Sequence, residues 1–446
     1  MKRSLQPSRG EKYEAAMAYI ATREKFGSKL GLEQIGKLLA KLGDPQKGMK
    51  FVHVAGTNGK GSTSTMIAGA LTAAGYRTGL YISPAVFDFN ERIQLDMEPV
   101  SDADMADAIL TVKQAADELA AEGSGEATEF EVETAAAFLT YRRKQCDVAV
   151  LEVGLGGRYD ATNIIDTPEA AVIASISEDH KAILGDTLAK IAAEKCGIIK
   201  GGCPVVTYVD QAPEALEEIR RQCAEKGSAL TVPDADAFRV ESISLDGTRF
   251  TYGGTEFMTR MVGVHFAKNA LNAIEALRIL RGKGWKISEA DIAAGVGTKP
   301  MTARMEKIND VPCVLMDGAH NPDGIAKLCD TIDTLLAGKR IITVMGMFRD
   351  KDYAVCIPQI ARRSNVFIAT TPPTGRALKA QETAELAWGL APQVCIAQRV
   401  DMALLSALRF ARKDDIVLCC GSLSFLGRCK EYMSHFEQLN RRYNII

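Results

Sequence analysis

Apolar residues near the N-terminus recur at helical spacing, as Tyr13, Met17 and Ile20, then as Leu32, Ile35, Leu38 and Leu39. This period predicts two helices separated by the turn Lys25-Phe26-Gly27-Ser28. The texture then changes. Residues 51–55 form a short apolar run, and a glycine-rich loop follows. Small residues over 62–74 predict a helix that Gly75 ends, and 78–82 predict the next strand. Strand, loop, helix, strand is the pattern of a parallel sheet. Further buried-strand runs fall at 147–152, 171–176 and 204–208, with amphipathic helical segments at 101–121, 131–144 and 188–199. Residues 237–262 alternate with period two and predict a hairpin turning at Asp246-Gly247. A helix rich in Asn and Ala is expected over 268–281.

The stretch Gly295-Val296-Gly297-Thr298-Lys299-Pro300 joins glycine freedom to a proline stop and is expected to be a linker. Beyond it the alternation of strands and helices restarts, with strands expected at 312–316, 340–345, 365–369, 394–397 and 415–420. The expected organisation is a larger α/β domain over 1–297 and a smaller one over 298–446.

Size agrees, because 446 residues exceed one ordinary core. A hydrophobic content of 47% with 25% charged residues fits a soluble globular protein. A net charge of -2 leaves no basic footprint, so nucleic acid is not expected as a partner. No apolar stretch approaches the ~20 residues of a membrane span, and no signal peptide is expected from Met1-Lys2-Arg3-Ser4-Leu5. Eleven scattered cysteines, with only Cys419-Cys420 close together, suit neither a disulfide framework nor a zinc site, and the expected location is the cytoplasm.

The candidate chemistry begins at Gly56-Thr57-Asn58-Gly59-Lys60-Gly61-Ser62. A glycine-rich turn between a strand and a helix aims backbone N–H groups at one point, and the helix dipole adds positive charge there. Lys60 can neutralise terminal phosphates, and the Ser62 hydroxyl can reach a magnesium ion. The spacing departs from the generic phosphate loop, whose first glycine would fall at Val54, and Gly61 separates the lysine from the hydroxyl. No N-K-x-D string occurs, so ATP rather than GTP is expected. A second glycine cluster, Glu152-Val153-Gly154-Leu155-Gly156-Gly157-Arg158, fails as a dinucleotide fingerprint because the third glycine would have to stand at Tyr159. The strand before it ends in a carboxylate, as magnesium sites beside phosphate loops tend to. The fold class expected is α/β: a nucleotide-binding parallel-sheet domain with the phosphate loop, then a smaller Rossmann-like α/β domain.

The chain resembles the folylpolyglutamate synthase and bifunctional dihydrofolate synthase family of the Mur ligase superfamily. The resemblance is carried by Lys12-Tyr13, by Phe26-Gly27-Ser28-Lys29-Leu30-Gly31-Leu32-Glu33, by Leu42-Gly43-Asp44-Pro45-Gln46 and by residues 53–62. It continues through Ser83-Pro84, Phe89-Asn90-Glu91-Arg92-Ile93, Phe130-Glu131, Thr134-Ala135 and residues 151–164. Further blocks are Asp179-His180, Leu184-Gly185, Glu194-Lys195-Cys196-Gly197-Ile198, Asp317-Gly318-Ala319-His320-Asn321-Pro322, Asp350-Lys351-Asp352 and Gly421-Ser422-Leu423. Three positions depart from the family pattern: Ala85 replaces a histidine, His265-Phe266 a His-Gln pair, and Ala303-Arg304 a Gly-Arg pair.

The resemblance implies ATP-dependent ligation of L-glutamate to a folate or to 7,8-dihydropteroate through an acyl phosphate, releasing ADP and phosphate. It implies that Ser83, Glu152 and His180 bind magnesium and that Lys195 is carbamylated and holds a second magnesium ion. Lys60, Glu152, His180 and Lys195 form the implied catalytic set. Asn269, Arg304, Asp317 and His320 complete the implied nucleotide site around Gly56–Ser62, and Ser28, Lys29, Leu30 and Phe130 line the implied pterin pocket. The implied cofactors are ATP, two Mg2+ ions, the carbamate and a monovalent cation, and a monomer is implied. Two other readings stand beside this one. A Mur-type ligase acting on a peptidoglycan precursor ordinarily carries a domain before the loop. A non-catalytic ATP-binding module would not need the metal-ligand set.

Overall fold

The computed structural model describes residues 9–27 and 31–443. Ser28, Lys29 and Leu30 lie outside the described residues.

Eight strands form the first sheet: β1 (Phe51–Ala55), β2 (Thr78–Tyr81), β3 (Ile93–Leu95), β4 (Glu98–Pro99), β5 (Val148–Glu152), β6 (Ala170–Ile173), β7 (Val205–Thr207) and β8 (Leu230–Thr231). Their spatial order is β4-β3-β2-β5-β1-β6-β7-β8, parallel from β2 to β8. Strands β1, β2, β5, β6 and β7 are buried at every residue, which is why they appear as largely apolar runs rather than alternating ones. Helices cover both faces. One core packs Tyr13, Ile35, Leu38, Val132 and Phe138 around Leu151, and the other packs Met66, Ile67, Leu271 and Leu277 around Val54 and Val150.

A small antiparallel sheet follows, of β9 (Phe238–Ser244), β10 (Gly247–Tyr252) and β11 (Thr255–Thr259). The third sheet comprises β12 (Arg304–Asn309), β13 (Cys313–Asp317), β14 (Ile341–Met345), β15 (Val366–Thr370), β16 (Gln393–Ala397) and β17 (Ile416–Cys420). Its order is β12-β13-β17-β14-β15-β16, with all pairs parallel except β12 against β13.

The expected linker begins two residues late. Gly295 and Val296 close the helix Glu289–Val296, which packs on the helix Lys60–Ala73. A Cβ on Gly295 would sit 2.5 Å from the Ala70 Cβ, so this glycine serves a close helix–helix contact rather than chain freedom. Strand β12 was not expected. It is a polar edge strand whose residues are only half-buried for the most part, and edge strands lack the apolar run that marks the others. Among the described residues no helix is long and apolar enough to cross a membrane.

Candidate active site

The phosphate loop joins the end of β1 to the helix Lys60–Ala73. Gly56 and Gly59 have φ of 147° and 86°, which L side chains rarely adopt. Space forbids a side chain as well: a Cβ on Gly56 would stand 2.8 Å from the Ala174 Cβ, and one on Gly59 would stand 2.5 Å from the Asn269 Oδ1. The Thr57 and Asn58 N–H groups donate to the Ser175 carbonyl at 2.8 and 3.2 Å, fixing the loop to the chain beyond β6. The N–H groups of Lys60, Gly61 and Ser62 open the helix, where they have no acceptor within it and converge with its dipole. Asn269 donates to the Ser62 hydroxyl at 2.9 Å, and the Lys60 ammonium donates to the Thr57 carbonyl at 3.1 Å.

Register brings the next groups together. Strand β5 is flanked by β1 and β2, with Val54 opposite Glu152 and Tyr81 opposite Leu151. Glu152 therefore ends its strand beside the phosphate loop and beside Ser83, whose N–H donates to its Oε2 at 3.1 Å. Burial pushes the Glu152 carboxyl up, and Lys60 and Arg304 pull against it.

Lys195 ends the helix Leu188–Lys195. It is buried, and its ammonium donates to the Gly56 carbonyl at 2.8 Å. Burial first, and then the charge of Lys60, pull this amine down to about 7. The second glycine cluster lets the chain approach this helix end and Phe130 closely: a Cβ on Gly157 would lie 2.7 Å from the Lys195 carbonyl oxygen, and one on Gly154 would lie 2.6 Å from the Phe130 ring. That cluster is a packing turn.

His180 stands on the rim, partly exposed, with φ of 51°. Burial first, then Lys351, hold its imidazole below the ordinary value, so it is neutral at pH 7. The second unit reaches this rim directly. Lys351 donates to Asp179 at 2.8 Å and lies 3.3 Å from the His180 Nε2. Asn321 donates to Asn58 at 3.1 Å and to Asp179 at 3.2 Å, and Asn58 donates to Asp323 at 2.7 Å. Arg304 opens β12 opposite Asp317, the last residue of β13. The buried Asp317 carboxylate accepts N–H bonds from Met305 and Ala319 at 3.0 and 2.9 Å. The His320 Nδ1 lies 2.8 Å from the Gly318 carbonyl, and burial pulls its imidazole down to about 4.

One cavity of about 510 Å³ unites these groups. It is lined by residues 56–62, Ser83, Phe130, Glu152, His180, Lys195, Asn269, Arg304, Asp317 and His320, that is, every candidate residue within the described chain. Several lining residues escaped the sequence reading. Asp160 is a buried carboxylate near Phe130 that accepts the Leu155 and Thr162 N–H groups at 2.9 and 3.0 Å. Arg92 donates to the buried Glu133 at 2.8 Å, and Asn321 and Arg376 come from the second unit. Asp160, Arg92 and Asn321 sit inside the blocks of resemblance, which was their one signal. Arg376 had none.

Among the described residues no three His, Cys, Asp or Glu side chains converge to hold a metal by themselves. The donors that line the cavity are a hydroxyl, a carboxylate and a neutral imidazole. They fit a hard cation whose shell is completed by water and phosphate oxygens. Lys195 joins such a set only as a carbamate, because its ammonium is a like charge.

Comparison with known proteins agrees with this geometry. Residues 54–277 match the Mur ligase middle domain, and residues 303–423 match the Mur ligase, glutamate ligase domain. The folylpolyglutamate synthase of Lacticaseibacillus casei is 38% identical over 376 residues, covering 82% of this chain and 87% of that one. The dihydrofolate synthase/folylpolyglutamate synthase of Bacillus subtilis is 38% identical over 357 residues, covering 78% and 82%. The structure of E. coli FolC in complex with DHPP and ADP superimposes with a TM-score of 0.83 at 28% identity, covering 97% of this chain and 100% of that one. The chain is thus a member of the folylpolyglutamate synthase/dihydrofolate synthase family of Mur ligases.

Proposed function

We propose that this protein uses ATP to join the amine of L-glutamate to a carboxylate of a folate or of 7,8-dihydropteroate, releasing ADP and phosphate. The observation that carries the reading is the single cavity that connects the phosphate loop to Phe130 and Asp160 on one side and to the second unit on the other.

A carboxylate does not condense with an amine in water, because its oxygen is a poor leaving group. In the proposed reaction the acceptor carboxylate attacks the γ-phosphorus of ATP, ADP departs, and an acyl phosphate forms. The neutral amine of glutamate then attacks the carbonyl carbon, its nitrogen gives up a proton to solvent, and phosphate leaves with the bonding electrons. The first-turn N–H groups of Lys60–Ser62, the Lys60 ammonium and Arg304 hold the phosphates and offset the charge that develops on them. Asp317 and His320 face the nucleotide from the second unit, so closure of the units would bring the reactants into line. Phe130 offers a flat apolar surface and Asp160 a buried acceptor, which suits a pterin ring with its amino and ring N–H edge.

Ser83, Glu152 and His180 would hold one Mg2+, and carbamylated Lys195 would hold a second. Bound there, the ions would supply charge neutralisation of the transferring phosphoryl group. An amine pulled down to about 7 is uncharged in a substantial fraction of molecules at neutral pH, the form that adds carbon dioxide, and this supports the carbamate.

We place the boundary between the units at 297/298, since the helix Glu289–Val296 still packs on the phosphate-loop helix and β12 begins the third sheet at Arg304. We read the protein as a cytoplasmic monomer; its eleven cysteines are free thiols, as a reducing compartment keeps them.

The test is ADP and phosphate release by purified protein with ATP and Mg2+, L-glutamate, and dihydropteroate or tetrahydrofolate side by side. Release is expected only when glutamate and a pteroyl acceptor are both present. Equal release without either would refute the ligase, and the two acceptors compared decide which activity the protein has.

A further inference from the structure

The second unit contributes to the cavity a basic side chain that no step above employs. Arg376 follows β15, at the carboxyl ends of the parallel strands, where open α/β sheets take their ligands. Its backbone is tied on both sides: the Arg376 carbonyl accepts the Arg349 N–H at 2.9 Å, the Leu378 N–H donates to the Met347 carbonyl at 2.9 Å, and Ala377 pairs with Phe348. The guanidinium lies 4.8 Å from the centroid of the Phe348 ring. Stacking of this kind fixes the plane of the group and leaves the donors along its edges free.

Other cations of the cavity already direct donors at the protein. Lys60 bonds Thr57, Lys195 bonds Gly56, Lys327 bonds Asp323, and Arg92 bonds Glu133. Arg376 differs. Among the described residues its guanidinium faces a single carboxylate, Asp350, at a loose 3.6 Å, and its side chain is 68% exposed. A planar fork, held flat, beside the cavity and without a close partner, is suited to a carboxylate that arrives with a ligand.

We propose that Arg376 binds the side-chain carboxylate of the incoming L-glutamate and so determines which amino acid is ligated; this rests on the ligase reading above. The glutamate amine must reach the acyl carbon near the phosphate loop, and its α-carboxylate is attached beside that amine. Arg376 stands on the exposed wall contributed by the second unit, and it meets the far end of the amino acid. Glutamine has the same shape there but offers an amide, which cannot accept both donors of the fork with a full negative charge.

The test is steady-state kinetics of Arg376→Gln and Arg376→Lys in the full chain, with ADP affinity by calorimetry as the check on folding. Loss of a charged bidentate contact is expected to raise KM for L-glutamate on the order of 10- to 100-fold, with kcat and the KM for ATP and pteroyl acceptor unchanged. Arg376→Gln is expected to erase the preference for L-glutamate over L-glutamine, and Arg376→Lys to keep part of it. An unchanged glutamate KM and preference in Arg376→Gln overturns the proposal. So does a rise confined to the pteroyl KM, which would assign Arg376 to the acceptor. A wild-type protein that incorporates no glutamate refutes the ligase reading, whereas an active wild type with an indifferent Arg376→Gln refutes only this inference.

Discussion

Gly59 and Gly75 have nearly the same φ, 86° and 87°, and opposite surroundings. A Cβ on Gly75 meets nothing within 4 Å, whereas one on Gly59 meets the Asn269 amide at 2.5 to 2.9 Å. Asn269 cannot yield freely, because it is buried and donates to the buried Ser62 hydroxyl. An alanine at 75 therefore carries only the left-handed backbone cost, about 1 kcal/mol after the gain from a stiffer unfolded chain. An alanine at 59 carries that cost and also dislodges a buried hydrogen bond, a further ~1–3 kcal/mol. At roughly 2 °C per kcal/mol for a unit of this size, the thermal midpoint should fall by about 2 °C in Gly75→Ala and by about 4–8 °C in Gly59→Ala. Differential scanning fluorimetry reads the midpoints, and calorimetry with ADP reads the loop, where only the Gly59 variant should lose affinity. A Gly59→Ala protein no less stable than Gly75→Ala, with ADP affinity intact, would refute the assignment of this glycine to close contact.

Three further outcomes are expected. In buffer free of carbon dioxide, wild type should gain stability relative to Lys195→Met as pH rises. The ammonium penalty is complete below the folded value of about 7 and vanishes above the ordinary 10.5, and a difference that stays flat between those pH values refutes the burial account. Phe130→Ala should raise KM for the pteroyl acceptor about tenfold, the worth of a lost aromatic stack, and leave KM for ATP unchanged; kinetics with each substrate varied in turn decides it. Asn321→Ala removes the bonds to Asn58 and Asp179, and should enlarge the radius of gyration in small-angle scattering while lowering kcat. An unaltered scattering curve would show that these bonds do not hold the units together.

How legible a residue was in the sequence followed from how its surroundings were built. The parallel strands of both large sheets announced themselves because they are covered on both faces, so that runs such as β17, apolar at all five positions, and β14, apolar at all but Thr343, have no other use. Strand β12 carries the sequence Arg304-Met305-Glu306-Lys307-Ile308-Asn309 on an edge and gave no such signal. The phosphate loop was legible because its chemistry is local: strand, glycines, lysine and helix are contiguous. Lys195 was not legible from its own helix, where a lysine is ordinarily solvated. Its buried ammonium meets Gly56 and its backbone packs on Gly157, both far away in the sequence, and only the family resemblance singled it out. Arg376 lies beyond both kinds of signal, since its place at the cavity depends on how a loop of the second unit meets Phe348 and Arg349.

The bonds from Asn58 to Asn321 and Asp323 have one more consequence. A residue of the phosphate loop is also a residue of the joint between the units, so holding phosphate and shutting the cleft are two readings of one equilibrium. Whatever favours the shut form must tighten the grip on nucleotide, and nucleotide must favour the shut form by the same factor. An acceptor or amino acid that bridges the units is therefore expected to strengthen ATP binding without touching it, and departure of ADP to be coupled to the parting of Asn58 from its partners across the cleft.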